Sequence, residues 1–193
     1  LVGSEMCIRD RDIGGGLGIK YDQEEPPKPS DLITSVRKRF ASRKLKIVIE
    51  PGRSIAANAG IFVTRIEYLK SNDSKNFVIV DGAMNDLIRP ALYDAWQDII
   101  PVKRSNSEKL KEYDVVGPIC ESGDFLGRDR QLRVKSGDLL AVRSAGAYGF
   151  VMSSKYNSRP RAPELMVEGA NTHVVRDRET VSELYRNERI LPG

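Results

Sequence analysis

The texture of the sequence changes once, near residue 60, and that change limits the available folds more than any other feature. In the first part, Ser30 or Asp31 can N-cap a helix reaching about Ser42, with Leu32, Ile33, Val36 and Phe40 on one face. Leu45 to Ile49 (LKIVI) then reads as a short apolar strand, and Glu50-Pro51-Gly52-Arg53 turns it into a small-residue helix over Ser54 to Asn58. Helix, strand, glycine turn and helix form the closing unit of an α/β layer. After Ala59 the runs Ile61–Leu69, Phe77–Asp81, Tyr113–Gly117, Leu139–Arg143 and Leu165–Val167 read as strands separated by Gly, Asn, Asp and Pro turns. Only Pro90–Asp98 and Val181–Glu188 read as helices there. The expected class is α/β plus β, with an α/β part over 12–59 and a mostly β domain over 60–193. The opening stretch, LVGSEMCIRDR (residues 1–11, with Cys7), follows neither period and reads as a non-native leader.

Size and composition remove several classes. A chain of 193 residues buries a real core but falls short of a complete (β/α)₈ barrel, which takes about 250 residues. No apolar run approaches a membrane span of about 18 residues. Lys and Arg number 31 against 27 Asp and Glu, a net charge of +4. These charges are spread along the chain rather than gathered with aromatics, so no nucleic-acid partner is expected. A single histidine, His173, excludes His-cluster metal sites, and no metal is expected. Cys7 and Cys120 are too far apart in sequence for a CxxC pair, a pattern that suits a reducing cytoplasm. Acid–base work must fall to Cys, Tyr, Lys or carboxylates.

Five segments could carry chemistry. Gly14-Gly15-Gly16-Leu17-Gly18 lets backbone N–H groups converge on an anion, although alone it is equally a flexible turn. Gly52 and Arg53, between strand and helix, offer a second anion cradle; the plainer alternative is a capped helix with a solvated arginine. The two loops bracket one strand–helix unit, which points to a phosphate held between them. Gly117-Pro118-Ile119-Cys120-Glu121-Ser122-Gly123-Asp124 sets a thiol beside carboxylates, the alternative being an inert buried cysteine. Gly146-Ala147-Tyr148-Gly149 presents a phenol from a small-residue turn, although such a tyrosine is often a packing residue. Finally, Arg89 and Tyr93 stand four residues apart and share a face if the turn after Ile88 is helical; otherwise they mark an exposed helix start.

GGGLG, EPGRSIAANAG, DGAMNDLIRPALYDA, VVGPICESGDFLG, GAYGFVMSSKYNSRPR and PELMVEG, in this order from about residue 12 onward, resemble the diaminopimelate decarboxylases. These are pyridoxal-phosphate enzymes of the alanine-racemase-like fold type. The resemblance implies the last strand–helix units of a (β/α)₈ barrel over 12–59, followed by a mostly antiparallel β domain. It also implies that Gly14, Gly15, Gly16, Glu50, Gly52 and Arg53 line the cofactor phosphate, with Tyr148 at the cofactor. Arg53, Arg89, Tyr93 and Tyr148 would face the substrate. Cys120 would be the proton donor, and Glu121 would reach the substrate of the neighbouring subunit in a homodimer with shared sites. The family's Schiff-base lysine and ring-stacking histidine belong to an N-terminal half that has no counterpart here, and His173 is not that histidine. The resemblance thus implies a C-terminal fragment, inactive alone.

Charge narrows the substrate. A diamine-forming decarboxylase needs carboxylates for a distal cation, whereas diaminopimelate carries both a distal carboxylate and a distal amine. Arg53 and Arg89 can pair carboxylates bidentately while Glu121 takes the ammonium. The expected reaction is decarboxylation of meso-2,6-diaminopimelate to L-lysine and CO₂. The alternatives are an ornithine, arginine or carboxynorspermidine decarboxylase of the same superfamily, or a catalytically dead binding paralogue.

Overall fold

A computed structural model describes residues 10–104 and 106–193. Most of the leader stretch, with Cys7, lies outside the described residues. Its last two residues do not stand apart from the fold: β1 (Asp10–Asp12) runs parallel to β2 (Lys46–Val48). The pairing continues past the strand ends, with Ile13 N–H donating to the Val48 carbonyl at 3.1 Å and Glu50 N–H to the Gly14 carbonyl at 2.8 Å.

Parallel strands need a crossover, and α1 (Pro29–Arg39) supplies it. The helix starts earlier than its serine and aspartate suggest. Pro29 takes the first helical position, where its missing N–H costs nothing, and Lys28 is the cap. Asp31 lies inside the helix and accepts from the Lys28 N–H at 3.3 Å. A four-residue helix, α2 (Arg53–Ala56), follows β2 and tightens into a 3₁₀ turn over Ala57–Ala59.

The remainder is built on one mixed six-stranded sheet. It comprises β3 (Phe62–Ser71), β4 (Asn76–Val80), β5 (Ile99–Pro101), β6 (Lys111–Val116), β7 (Phe125–Leu132) and β8 (Leu139–Val142), in the order β5-β8-β3-β4-β6-β7. All neighbours are antiparallel except β4 and β6, which run parallel. The long β3 serves two partners, β8 along Phe62–Arg65 and β4 from Ile66 onward, with a register shift between Ile66 and Tyr68. The sheet curls until its edges meet: Gly127 of β7 lies against the Ile99 side chain of β5. Inside sit Ile66, Val78, Val80, Leu87, Val115, Leu126, Leu140 and Val142, all fully buried. At about 1.5–3 kcal/mol per buried aliphatic side chain, this interior dominates the domain's stability.

The helix read at Pro90–Asp98 is only α3 (Arg89–Tyr93). Asp94 adopts a left-handed conformation (φ 50°) that ends it. Gln97, fully buried, then donates to the Arg143 and Ser144 carbonyls, which holds the chain extended. A hairpin, β9 (Glu164–Glu168) with β10 (Asn171–Arg176), and a short α4 (Ser182–Tyr185) complete the chain. No helix among the described residues is long and apolar enough to cross a membrane.

Candidate active site

The two glycine loops lie side by side because β1 and β2 are neighbours. Gly14 and Gly16 take positive φ (69° and 84°), which glycine alone adopts at little cost. Gly15 has no room for a side chain, since a Cβ would press on the Glu50 carbonyl. Gly52, capping α2, borders open space on its Cβ side. Among the described residues, the N–H groups of Gly15, Gly16, Gly52, Arg53 and Ser54 have no partner. Unpaired backbone donors on two adjacent loops, beside small residues and one guanidinium, are what an oxyanion needs.

A second contact delivers the phenol. Gly60, just past α2, meets Gly146 backbone to backbone. Ala145 N–H donates to the Gly60 carbonyl at 2.9 Å and Gly146 N–H to the Ala57 carbonyl at 3.0 Å. Ala147 is buried with Ala57 and Ile19, which joins the glycine-loop segment, α2 and the Gly146–Gly149 turn into one small apolar cluster. Tyr148 stands on this base in a left-handed conformation (φ 61°). Such a backbone costs a non-glycine residue about 1–3 kcal/mol and persists only where the surroundings impose it.

Two guanidinium groups flank that ring. Arg53 lies 5.5 Å and Arg89 5.3 Å from its centroid. Arg89 also stacks over Tyr93 at 5.6 Å, within the same helix, and over Tyr21 at 5.8 Å. Four of the residues singled out in the sequence, Arg53, Arg89, Tyr93 and Tyr148, therefore converge, although they derive from three separate segments. Tyr21 was missed, because a lone tyrosine between a glycine run and a proline stretch carries no signal. The Arg89 Nε and the Tyr21 hydroxyl are buried without hydrogen-bond partners among the described residues. Two cations and two buried orphan polar atoms suit anionic, hydrogen-bonding ligands.

The Cys120 loop is a separate construction. Asp124, buried, accepts from Ile119 N–H at 2.6 Å and from Met84 N–H at 2.7 Å. Gly117 is the residue that leaves room for its carboxylate. Burial pushes the Asp124 carboxyl above its ordinary range, opposed by those two backbone donors. So clamped, the loop presents Cys120 as an exposed free thiol and Glu121 as an exposed carboxylate that accepts from the Tyr156 hydroxyl at 3.2 Å. Among the described residues, no hydrogen bond, ion pair or ring contact joins Cys120 or Glu121 to the Arg53–Tyr148–Arg89 cluster. No group of three or more His, Cys, Asp or Glu among them could hold a metal ion. His173 lies exposed in β10, opposite Met166 of the neighbouring strand.

Residues 11–146 match the family model of the pyridoxal-dependent decarboxylases, described as the C-terminal sheet domain. The chain belongs to that family. Among its curated relatives, the diaminopimelate decarboxylase of Pseudomonas aeruginosa is 59% identical over 192 residues, spanning 100% of this chain and 46% of the relative. That of Vibrio cholerae is 56% identical over 186 residues, spanning 96% of this chain and 44% of its own length. The crystal structure of diaminopimelate decarboxylase from Helicobacter pylori complexed with L-lysine superposes with a TM-score of 0.87 at 42% identity, covering 93% of this chain and 44% of that one. The chain thus spans a little under half the length of these pyridoxal-dependent decarboxylases.

Proposed function

We propose that this chain is the C-terminal part of a diaminopimelate decarboxylase, which converts meso-2,6-diaminopimelate to L-lysine and CO₂ with pyridoxal 5′-phosphate. The observation that carries this reading is the convergence of Arg53, Arg89, Tyr93 and Tyr148 on one cluster beside the paired glycine loops. The diaminopimelate decarboxylases among its relatives and the L-lysine complex of the Helicobacter pylori protein agree with it.

The residues present fit the cofactor. Gly52 leaves open the space a side chain would fill, and the unpaired N–H groups of Gly15, Gly16, Gly52, Arg53 and Ser54 suit a phosphate. Gly14 and Glu50 complete this frame through the hydrogen bond between the two loops. When bound, pyridoxal phosphate supplies an electron sink for the carbanion left by departing CO₂. The lysine that carries it belongs to the N-terminal half of the family. Residues 12–59 are then the end of a (β/α)₈ barrel and 60–193 the β domain. An apolar hollow lined by Leu17, Leu32, Ile33, Ile49 and Ile55 accords with a strand–helix unit whose barrel neighbours lie elsewhere.

The chain's own residues divide the remaining work. Arg53 and Arg89 present planar forks that pair substrate carboxylates, and Tyr93 and Tyr148 fix their planes. Cys120 returns a proton to Cα. Glu121 takes the distal ammonium. Since Cys120 and Glu121 stand apart from the arginine–tyrosine cluster of their own chain, each site draws its arginines from one subunit of a homodimer and its thiol and carboxylate from the other. An exposed unpaired thiol suits a reducing cytoplasm, where we place the enzyme.

The test is to complete the chain with its upstream coding sequence, load it with pyridoxal phosphate, and compare CO₂ release from meso-diaminopimelate, ornithine and arginine. A clear preference in kcat/KM for the first is expected. Equal or faster turnover of ornithine or arginine overturns the assignment, and no turnover of any of them favours a non-catalytic paralogue.

A further inference from the structure

Glu121 is the carboxylate assigned to the distal ammonium, yet it lies exposed on a loop and has no cationic partner among the described residues. A free glutamate side chain samples many rotamers, and ordering it on binding costs conformational entropy. Its one side-chain hydrogen bond among the described residues is from the hydroxyl of Tyr156, which donates to Oε2 at 3.2 Å and leaves Oε1 for a second partner. We propose that Tyr156 is a positioning residue, whose phenol holds the Glu121 carboxylate ready for the distal ammonium of the substrate. This inference rests on the functional reading above.

The way Tyr156 is held argues against a chance contact. It opens a 3₁₀ turn in which the next two residues, Asn157 and Ser158, both take left-handed backbone (φ 57° and 55°). Two successive strained residues persist only where neighbours impose them. On one side of Tyr156, Ser154 N–H donates to the Asn85 carbonyl at 2.9 Å, and the buried Asn85 amide returns a bond to the Ser154 carbonyl at 3.1 Å. On the other, Arg159 donates from Nε to Asn85 Oδ1 at 3.0 Å and from Nη2 to the Asp81 carbonyl at 2.6 Å. The segment carrying Tyr156 is thus tied at both ends to the 81–86 loop. The Cys120 loop is tied to that same loop through Asp124 and Met84 N–H. Phenol and carboxylate therefore share one frame. The nearby carboxylate pushes the Tyr156 phenol above its ordinary range, so it remains a donor at neutral pH.

The experiment uses the full-length, pyridoxal-phosphate-loaded enzyme and Tyr156→Phe, which removes only the hydroxyl. KM for meso-diaminopimelate should rise about 3- to 10-fold, the loss of roughly one hydrogen bond, with kcat changed less than about twofold. In a Glu121→Ala background the same substitution should have no further effect. Calorimetry gives a readout separate from turnover: Tyr156→Phe should weaken L-lysine about 3- to 10-fold while leaving L-norleucine, which lacks the distal amine, unchanged. A fall in kcat at constant KM, an effect that persists without Glu121, or equal changes for L-lysine and L-norleucine would each overturn the positioning role. If the wild type binds L-lysine in this Tyr156-dependent way but does not decarboxylate diaminopimelate, the functional reading fails and the positioning role stands.

Discussion

The contact between Gly60 and Gly146 is the hinge pin of the arginine–tyrosine cluster, and Gly146→Ala probes it directly. A Cβ at position 146 would overlap the Ala56 carbonyl oxygen and stand 2.8 Å from the Gly60 nitrogen. Both neighbours are backbone, so no side chain can rotate away. Relief requires the 145–149 turn and α2 to separate, which breaks the Ala145–Gly60 and Gly146–Ala57 hydrogen bonds of 2.9 and 3.0 Å. Two backbone bonds at about 0.5–1.5 kcal/mol each, with the strain of overpacking, put the loss at about 2–4 kcal/mol. With a urea dependence of about 2 kcal/mol per molar, the unfolding midpoint should fall by about 1–2 M. Trp96 is the only tryptophan and lies against Arg130 at 4.3 Å, so its fluorescence follows the sheet domain. Tryptic cleavage after Arg53 reports α2 lifting away without global unfolding. A midpoint within about 0.3 M of wild type, with unchanged cleavage, would show that the glycine pair is not what seats Tyr148 beside Arg53.

Gly52→Ala is the contrasting case: with open space at its Cβ and φ −89°, it should leave the unfolding midpoint unchanged, yet weaken pyridoxal phosphate binding by the full-length protein in a fluorescence titration. Full-length Cys120→Ala and Arg53→Ala variants, mixed in equal amounts and allowed to exchange subunits, should recover about a quarter of wild-type activity, because half the dimers are then mixed and one site in each carries neither lesion. Mixed dimers confirmed by native mass spectrometry but without recovered activity would mean that the Cys120 loop serves its own subunit. Glu179 accepts from Arg161 Nη2 at 2.6 Å, from Nε at 3.0 Å and from its backbone N–H at 3.0 Å, and the guanidinium above all holds its carboxyl down to about 2. A depressed carboxyl stabilises the fold above the ordinary carboxylate range, and that contribution is lost as pH falls from about 4.5 to about 2. Glu179→Gln should therefore cost about 1 kcal/mol at pH 7 and nothing near pH 2 in urea titrations, and a pH-independent difference would contradict this origin.

The chemical segments were legible because each is local. A glycine run, Glu50-Pro51-Gly52-Arg53, Gly146-Ala147-Tyr148-Gly149 and the Cys120 loop are short strings whose residue types already state what their backbones can do. The strands β3, β4, β6 and β8 were visible for the same reason, as β-branched and aromatic runs bounded by turn residues. β7 was not, because Arg128, Asp129 and Arg130 interrupt its apolar pattern, and Arg130 is buried under Trp96 and against Gly127. The early end of α3 was hidden as well, since the left-handed Asp94 and the burial of Gln97 against the Arg143 and Ser144 carbonyls are settled by tertiary contacts.

The sequence by itself determined which residues could do chemistry and which kind of backbone each stands on. The tertiary structure alone decided which of them meet. Tyr21 with Arg89, Gly60 with Gly146, Asp124 with Met84, and Tyr156 with Glu121 are pairs far apart in the chain. Their proximity follows from the pairing of strands distant in sequence: β3 with β8 brings Gly60 to Gly146, and β4 with β6 and β6 with β7 bring Met84 to Asp124. A contact made by long loop closure leaves no periodic trace in the chain, because neither partner's local preference depends on the other.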